Sequence, residues 1–122
     1  MNDIKLMNKA ADNISILAAS MVEKAKSGHP GGAMGGADFV NVLFSEFLVY
    51  DPKNPAWEGR DRYFQDPGHM SPMLYSVLAL AGKFTIDELK EFRQWGSVTP
   101  GHPEVNVMRG IENTSGPLGQ GH

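Results

Sequence analysis

The 122-residue sequence predicts a helix-dominated chain, one domain's worth or less, with long structured loops and at most one or two short strands. Three observations carry this expectation. Apolar residues recur at steps of three and four over residues 4–26, 37–49 and 71–82. The glycines and prolines, fourteen and eight of them, concentrate in residues 28–36, 51–72 and 96–121, between or after those segments. An apolar share of 41% against 20% charged is the balance of a globular chain, so the loops are read as ordered rather than disordered.

The first helix places Met7, Ala11, Ile14, Leu17, Ala18, Met21 and Ala25 on one face, with Asn2, Asp3, Asn8, Asp12, Glu23 and Lys24 supplying most of the polar face. Gly28 and Pro30 are expected to stop it. Residues 31–36 read as a glycine-rich turn, because glycine is a poor helix filler. A second helix is expected over 37–49, with Phe39, Val40, Leu43, Phe44 and Phe47 forming a broad, well-buried face, ended by Asp51-Pro52. Tyr63 and Phe64 suggest a short buried strand at 62–65, followed by turn chemistry in Asp66-Pro67-Gly68. A third helix should start near Ser71, with Pro72 in its first turn, and run through Leu74, Val77, Leu78 and Ala81 to Gly82. Thr85 and Glu88 have the spacing of a capping box, opening a short helix to about residue 94. Residues 95–121 lack a sustained period and read as an ordered loop with one short strand near 105–108. Trp57, Trp95 and the phenylalanines are expected in the core, Asp61 and Arg62 as a structural ion pair, and the methionines as packing, with Met70 and Met73 candidates to line a site near His69.

Composition excludes several function classes. The formal charge is -3 and the pI near 5.7, so the basic footprint of a nucleic-acid binder is absent. Apolar runs such as residues 77–81 are far too short to cross a bilayer, and the N-terminus lacks a basic-then-apolar signal layout. Without cysteine there is no disulfide, thiolate metal site or cysteine nucleophile; a cytoplasmic location is the default expectation.

The histidines carry the chemical signal. His29, His69, His102 and His122 each follow a glycine, and His29 and His102 sit in identical Gly-His-Pro triplets. With about one residue in nine being glycine, four of four by chance is on the order of 10⁻⁴. Glycine lets the backbone turn sharply, and proline biases the preceding histidine toward an extended backbone. An imidazole held in this way can donate, accept and carry charge near neutral pH, which suits proton transfer or phosphate binding. The competing readings are ordinary loop histidines beside turn glycines, and a zinc site, against which the long spacings and missing cysteines argue. Residues 116–121, Gly116-Pro117-Leu118-Gly119-Gln120-Gly121, suggest backbone approaching a flat or anionic ligand, or simply a flexible glycine turn. They match neither a Walker A loop nor the dinucleotide fingerprint.

Four blocks together resemble the transketolase family: Lys26-Ser27-Gly28-His29-Pro30-Gly31-Gly32-Ala33-Met34-Gly35; Asp61-Arg62-Tyr63-Phe64 continuing to Gly68-His69; Thr99-Pro100-Gly101-His102-Pro103-Glu104; and Asn113-Thr114-Ser115-Gly116-Pro117-Leu118-Gly119-Gln120-Gly121. Their order and spacing are family-like and cover nearly the whole chain. Dihydroxyacetone synthases share much of this layout, deoxyxylulose-phosphate synthases and pyruvate dehydrogenase subunits less; the third block favours the transketolase branch. The resemblance implies an α/β fold: residues 1–122 as the incomplete N-terminal segment of a thiamine-diphosphate-binding domain, whose helices flank a parallel sheet, with mostly helices and loops present here. It implies transfer of a two-carbon ketol unit between sugar phosphates in the pentose phosphate pathway. The implied cofactors are thiamine diphosphate and Mg²⁺, the metal's protein ligands lying beyond these residues. It implies that His29 contacts substrate hydroxyls and aids proton transfer, that His69 reaches the cofactor diphosphate and reacting region, and that His102 holds the donor's terminal hydroxyl. Gly116, with Pro117 beside it, would offer backbone to the aminopyrimidine, and Leu118 would pack on the cofactor rings.

The resemblance also implies partners: the remaining transketolase domains or a C-terminal subunit, and a homodimer when complete. The Gly-Asp-Gly motif, the downstream asparagine and the catalytic glutamate of the family do not occur in this sequence. The isolated 122 residues are therefore expected to be unstable or partly molten, and inactive. A docking subunit without catalysis, and an unrelated helical protein with loop histidines, stand as alternatives. His122, where many relatives have an apolar residue, is read either as a polar contact near the cofactor or as a residue that merely sits at a cut end. The expectation that joins all of these is that His29, His69 and His102 converge with the 116–121 backbone on one pocket.

Overall fold

In the computed structural model, residues 2–120 are described, apart from the Leu118 side chain. Helix α1 spans Ile4–Ala25. Asp3 caps it, its carboxylate accepting from the Leu6 N–H at 3.0 Å. The buried stripe is Ala11, Ile14, Ala18 and Met21, four of the residues that the apolar period selects. The helix ends within a residue of the expected bound, but Lys26 rather than a glycine makes the stop: it adopts the left-handed conformation (φ 51°) and its N–H closes on the Glu23 carbonyl at 3.2 Å.

Residues 31–36 correct the expected turn. Pro30 opens a helix, α2 (Pro30–Gly35), where its fixed φ is suited to the first position. The glycines here serve close packing. A Cβ at Gly36 would lie 2.5 Å from the Met73 sulfur, and one at Gly32 would lie 3.0 Å from Met70 Cγ. Helix α3 (Ala37–Val42) follows and widens into a π-helical turn, Leu43–Phe47. Its apolar face is only partly buried. Val40 and Phe44 enter the core, while Phe39 and Phe47 are exposed.

Helix α4 (Ser71–Leu80) is the centre of the molecule. Every residue from Ser71 to Leu78 is buried, and α1, α2, α3 and α5 all pack against it. The helices thus find their packing surface in another helix, where the family layout suggested a sheet. Apolar burial of this kind contributes roughly 1.5–3 kcal/mol per large side chain. Helix α5 (Ile86–Lys90) carries the predicted capping box in full and is shorter than expected. Its Glu88 also forms a two-pronged pair with Arg109, at 2.7 and 3.0 Å.

No strand ladder forms among the described residues. At 62–65 the neighbour that a sheet would supply is replaced by side chains: the Gln65 N–H donates to Asn113 Oδ1 at 3.0 Å, and Asn113 Nδ2 and Ser115 Oγ both donate to the Gln65 carbonyl. The expected strand near 105–108 is a single antiparallel bridge, Asn106 to Ile111, closed around the 3₁₀ turn Val107–Arg109. Trp57, Trp95 and Phe64 are exposed rather than in the core, leaving Phe44, Phe84 and Phe92 as its phenylalanines. Asp61 and Arg62 do not pair. Asp61 accepts from the Val49 N–H, Arg62 donates to the carbonyls of Arg60 and Glu58, and the local ion pair is instead the part-buried Arg60–Glu112, at 2.6 and 3.0 Å.

Candidate functional site

Four loops meet at one end of α4. Each brings the residue that its glycine was expected to position. Gly28 takes φ +133° and turns the chain into His29, which stands in extended conformation ahead of α2. His69 sits in a 3₁₀ turn, Gly68–Met70, that runs directly into α4. His102 follows Gly101 on a loop tethered to α4 by two hydroxyls: Ser71 Oγ donates to the Gly101 carbonyl at 2.6 Å, and Tyr75 OH donates to the Pro100 carbonyl at 2.7 Å. Gly116 leads extended into the 3₁₀ turn Pro117–Gly119, which packs against the Gly68–Met70 turn.

The side chains converge as the motifs required. The rings of His29 and His69 lie 4.8 Å apart between centroids, tilted by 56°. Gly68 is the point of closest approach of three loops. A Cβ there would lie 2.6 Å from Ser115 Cβ and 3.3 Å from both the Gly116 carbonyl oxygen and His102 Cγ. Only glycine fits without displacing a neighbour. On the far side, a Cβ at Gly119 (φ +74°) would meet Pro67 Cβ at 3.0 Å. Polar ties hold the third and fourth blocks together: the Ser115 N–H donates to the Pro103 carbonyl at 3.1 Å, and the Val105 N–H to Thr114 Oγ1 at 3.0 Å.

Two electrostatic features mark the cluster. His102 has its pKa pushed below the ordinary imidazole value, first by burial and then by the positive charges facing it from Arg93, His69 and His29. A neutral imidazole results near pH 7, able to donate from one nitrogen and accept at the other. His69 Nδ1 is buried and has no hydrogen-bond partner among the described residues. An orphaned polar atom in a cluster of this kind fits a group that receives a ligand.

His29, His69, His102 and Gly116 are therefore brought together, with Pro117 beside them in the same turn. The packing expected of the Leu118 side chain lies outside what is described, as do Gly121 and His122. Met70 lies half-buried over Gly32, next to His69, whereas Met73 is buried in the core. No three histidine, aspartate or glutamate side chains gather as a metal site among the described residues. No described helix is long and apolar enough to cross a membrane. Two contributors escape the sequence reading. Arg93 reaches Ser27 Oγ at 2.8 Å, and the Gln65–Asn113–Ser115 network joins the second and fourth blocks. Ser115 lies within a recognised block, whereas Arg93 lies in no motif and has no periodic signal.

Glycine-anchored imidazoles thus gather against a glycine loop on a helical scaffold. The sequence profile described as "Transketolase, thiamine diphosphate binding domain" matches residues 6–122, and the chain belongs to that family. It is 53% identical over 117 residues to the transketolase of Buchnera aphidicola subsp. Baizongia pistaciae, covering 95% of this chain and 18% of the relative. Its fold matches the crystal structure of transketolase from Campylobacter jejuni with a TM-score of 0.90 at 47% identity, over 98% of this chain and 19% of that one. It also matches a transketolase from Pichia stipitis in complex with sedoheptulose-7-phosphate, with a TM-score of 0.87 at 45% identity, over 94% of this chain and 17% of that one. The chain thus spans less than a fifth of the length of these relatives.

Proposed function

We propose that residues 1–122 are the N-terminal segment of a transketolase cofactor-binding domain and supply the histidine-bearing wall of its active site. The reaction is transfer of a two-carbon ketol unit from a ketose phosphate to an aldose phosphate, as in the pentose phosphate pathway. The observation that supports this most is the convergence of His29, His69 and His102 on Gly68 and Gly116. Sugar phosphates are the substrate class, in keeping with the sedoheptulose-7-phosphate complex of the Pichia stipitis enzyme. Charged substrates do not cross hydrocarbon unaided, so a cytoplasmic setting suits them. The remaining transketolase domains and a second subunit are the proposed partners.

The residues present fit thiamine diphosphate. The orphaned His69 Nδ1 offers a hydrogen-bonding site to an anionic or reacting group, and the extended Gly116 backbone can lie against a flat ring. Pro117 follows in the same turn, and the resemblance assigns Leu118 to the cofactor rings. When bound, thiamine diphosphate supplies the carbanion chemistry. Mg²⁺ accompanies the diphosphate, with its protein ligands assigned by the resemblance to residues other than these. This chain's part is proton and hydroxyl management. His29, exposed at the mouth, binds substrate hydroxyls and relays protons. Neutral His102 holds the donor's terminal hydroxyl by accepting its proton in a hydrogen bond. His69, ring to ring with His29, presents its unpartnered Nδ1 to the cofactor's anionic or reacting group.

The test is a chimera in which residues 1–122 replace the matching segment of the Campylobacter jejuni enzyme. It should transfer ketol units, and His69→Ala or His102→Ala should lower kcat/KM by about 10²–10⁴. Calorimetry with Mg²⁺ present should show thiamine diphosphate binding. Activity indifferent to both histidine replacements would leave a docking role as the better reading.

A further inference from the structure

Arg93 lies on the loop between α5 and the His102 turn, and it belongs to none of the four blocks. Its backbone is left-handed, with φ +62°, a region that side chains with a Cβ rarely adopt. Such a conformation persists where surrounding contacts over-determine it. The contacts are specific. The Arg93 N–H donates to the Thr99 carbonyl at 3.0 Å, and Nη1 donates to Ser27 Oγ at 2.8 Å, across 66 residues of sequence. The guanidinium lies 5.6 Å from the centre of the Phe92 ring. Gly101 presses against it so closely that a Cβ there would lie 2.9 Å from Nε.

These contacts place one planar, rigid group between the residue two before His29 and the residue just before His102. The arrangement is poor for stability alone, because Nε is buried without an acceptor among the described residues. We propose that Arg93 is a positioning residue, spanning from Ser27 to Gly101 so as to fix the His29 and His102 imidazoles relative to each other. The inference rests on the reading of this cluster as a transketolase site. The guanidinium also faces His102 together with His69 and His29, and its charge helps to keep the His102 imidazole neutral.

The Campylobacter jejuni chimera tests this with three variants: Arg93→Met, Arg93→Lys and Ser27→Ala. Arg93→Met should lower kcat/KM for the ketose donor by about tenfold to hundredfold, the scale of a small misplacement of catalytic groups. Ser27→Ala should move it in the same direction by less. Calorimetric cofactor affinity should stay within about twofold in both, since neither residue is placed on the cofactor. The acid limb of the pH profile of kcat/KM should move to higher pH in Arg93→Met, because His102 loses a neighbouring positive charge. Arg93→Lys keeps a charge without the planar fork, so it should hold the acid limb and fail to restore the rate.

Wild-type kinetics in Arg93→Met, or full rescue by lysine, would overturn the proposal. If Arg93→Met does not fold, Ser27→Ala decides: unchanged kcat/KM overturns the proposal, and a selective loss supports it. Loss of activity in His29→Ala and His102→Ala alongside normal Arg93 variants would sink this inference alone. A folded chimera that binds no thiamine diphosphate would sink the site reading and this inference together.

Discussion

Replacing Gly68 by alanine should damage the candidate site more than an added methyl group at Gly32, where the nearest atom is a flexible methionine carbon 3.0 Å away. The new Cβ at Gly68 would stand 2.6 Å from Ser115 Cβ, whereas carbon atoms settle at about 3.5–4.0 Å. An overlap of roughly 1 Å must be relieved by movement, and the neighbours are not free ends. Ser115 Cβ is one bond from the backbone, with its hydroxyl engaged by the Gln65 carbonyl. The second contact is the Gly116 carbonyl itself, and the third is the root of the His102 ring. Overpacking at a buried position costs about 1–3 kcal/mol, and a catalytic group displaced by about 1 Å costs on the order of a hundredfold in rate. Gly35→Ala is the control. Nothing lies within 4 Å of its Cβ position at the end of α2, so it should be neutral or gain up to about 1 kcal/mol. Both variants belong in the chimera, with ketol-transfer kinetics, cofactor calorimetry and a thermal melt. Gly68→Ala should lower the melting temperature, weaken cofactor binding and reduce kcat together. If it matches Gly35→Ala in all three, the convergence of loops on Gly68 is wrong.

Two further outcomes follow from α4 and α5. Tyr75→Phe removes the hydroxyl that holds the Pro100 carbonyl; it should cost about 1–2 kcal/mol in thermal stability and raise the hydrogen-exchange rates of the Gly101 and His102 amides, while exchange in α1 stays unchanged. Glu88 has its pKa lowered from 4.5 to about 2, first by the hydrogen bond from Arg109 and next by that from the Thr85 backbone. Because the folded pKa is the lower one, this contribution is complete above about pH 4.5 and is lost as pH falls toward 2. Protection of the Leu89 amide, which bonds to the Thr85 carbonyl at 3.1 Å, should fall over that window in native-state exchange corrected for intrinsic rates. Glu88→Gln should remove most of the pH dependence.

Legibility divides by range. The face of α1, the start of α4 and the capping box of α5 could be read directly, since each depends on residues three or four apart. The helix at Pro30 could not, because the role of its glycines is set by Met70 and Met73, some forty residues away. The tryptophans misled for a related reason: hydrophobicity is a property of the residue, but burial depends on what lies opposite, and Trp95 stands fully exposed among the described residues. The strand at 62–65 failed because two side chains, Asn113 and Ser115, satisfy its backbone in place of a neighbouring strand. Within the site, the imidazoles were legible through their glycines, whereas Arg93 carried no local mark at all.

By itself the sequence determined the chemistry on offer: imidazoles on stiff loops, a glycine run beside them, and an amphipathic first helix to pack on the core. Those follow from bond geometry and short-range periodicity, which act between residues close along the chain. Tertiary structure alone decided that the four loops share one end of α4, that Gly68 is their meeting point, and that Arg93 joins the first histidine block to the third. Contacts of that kind depend on shape complementarity between distant segments, and no local pattern encodes which segments will meet.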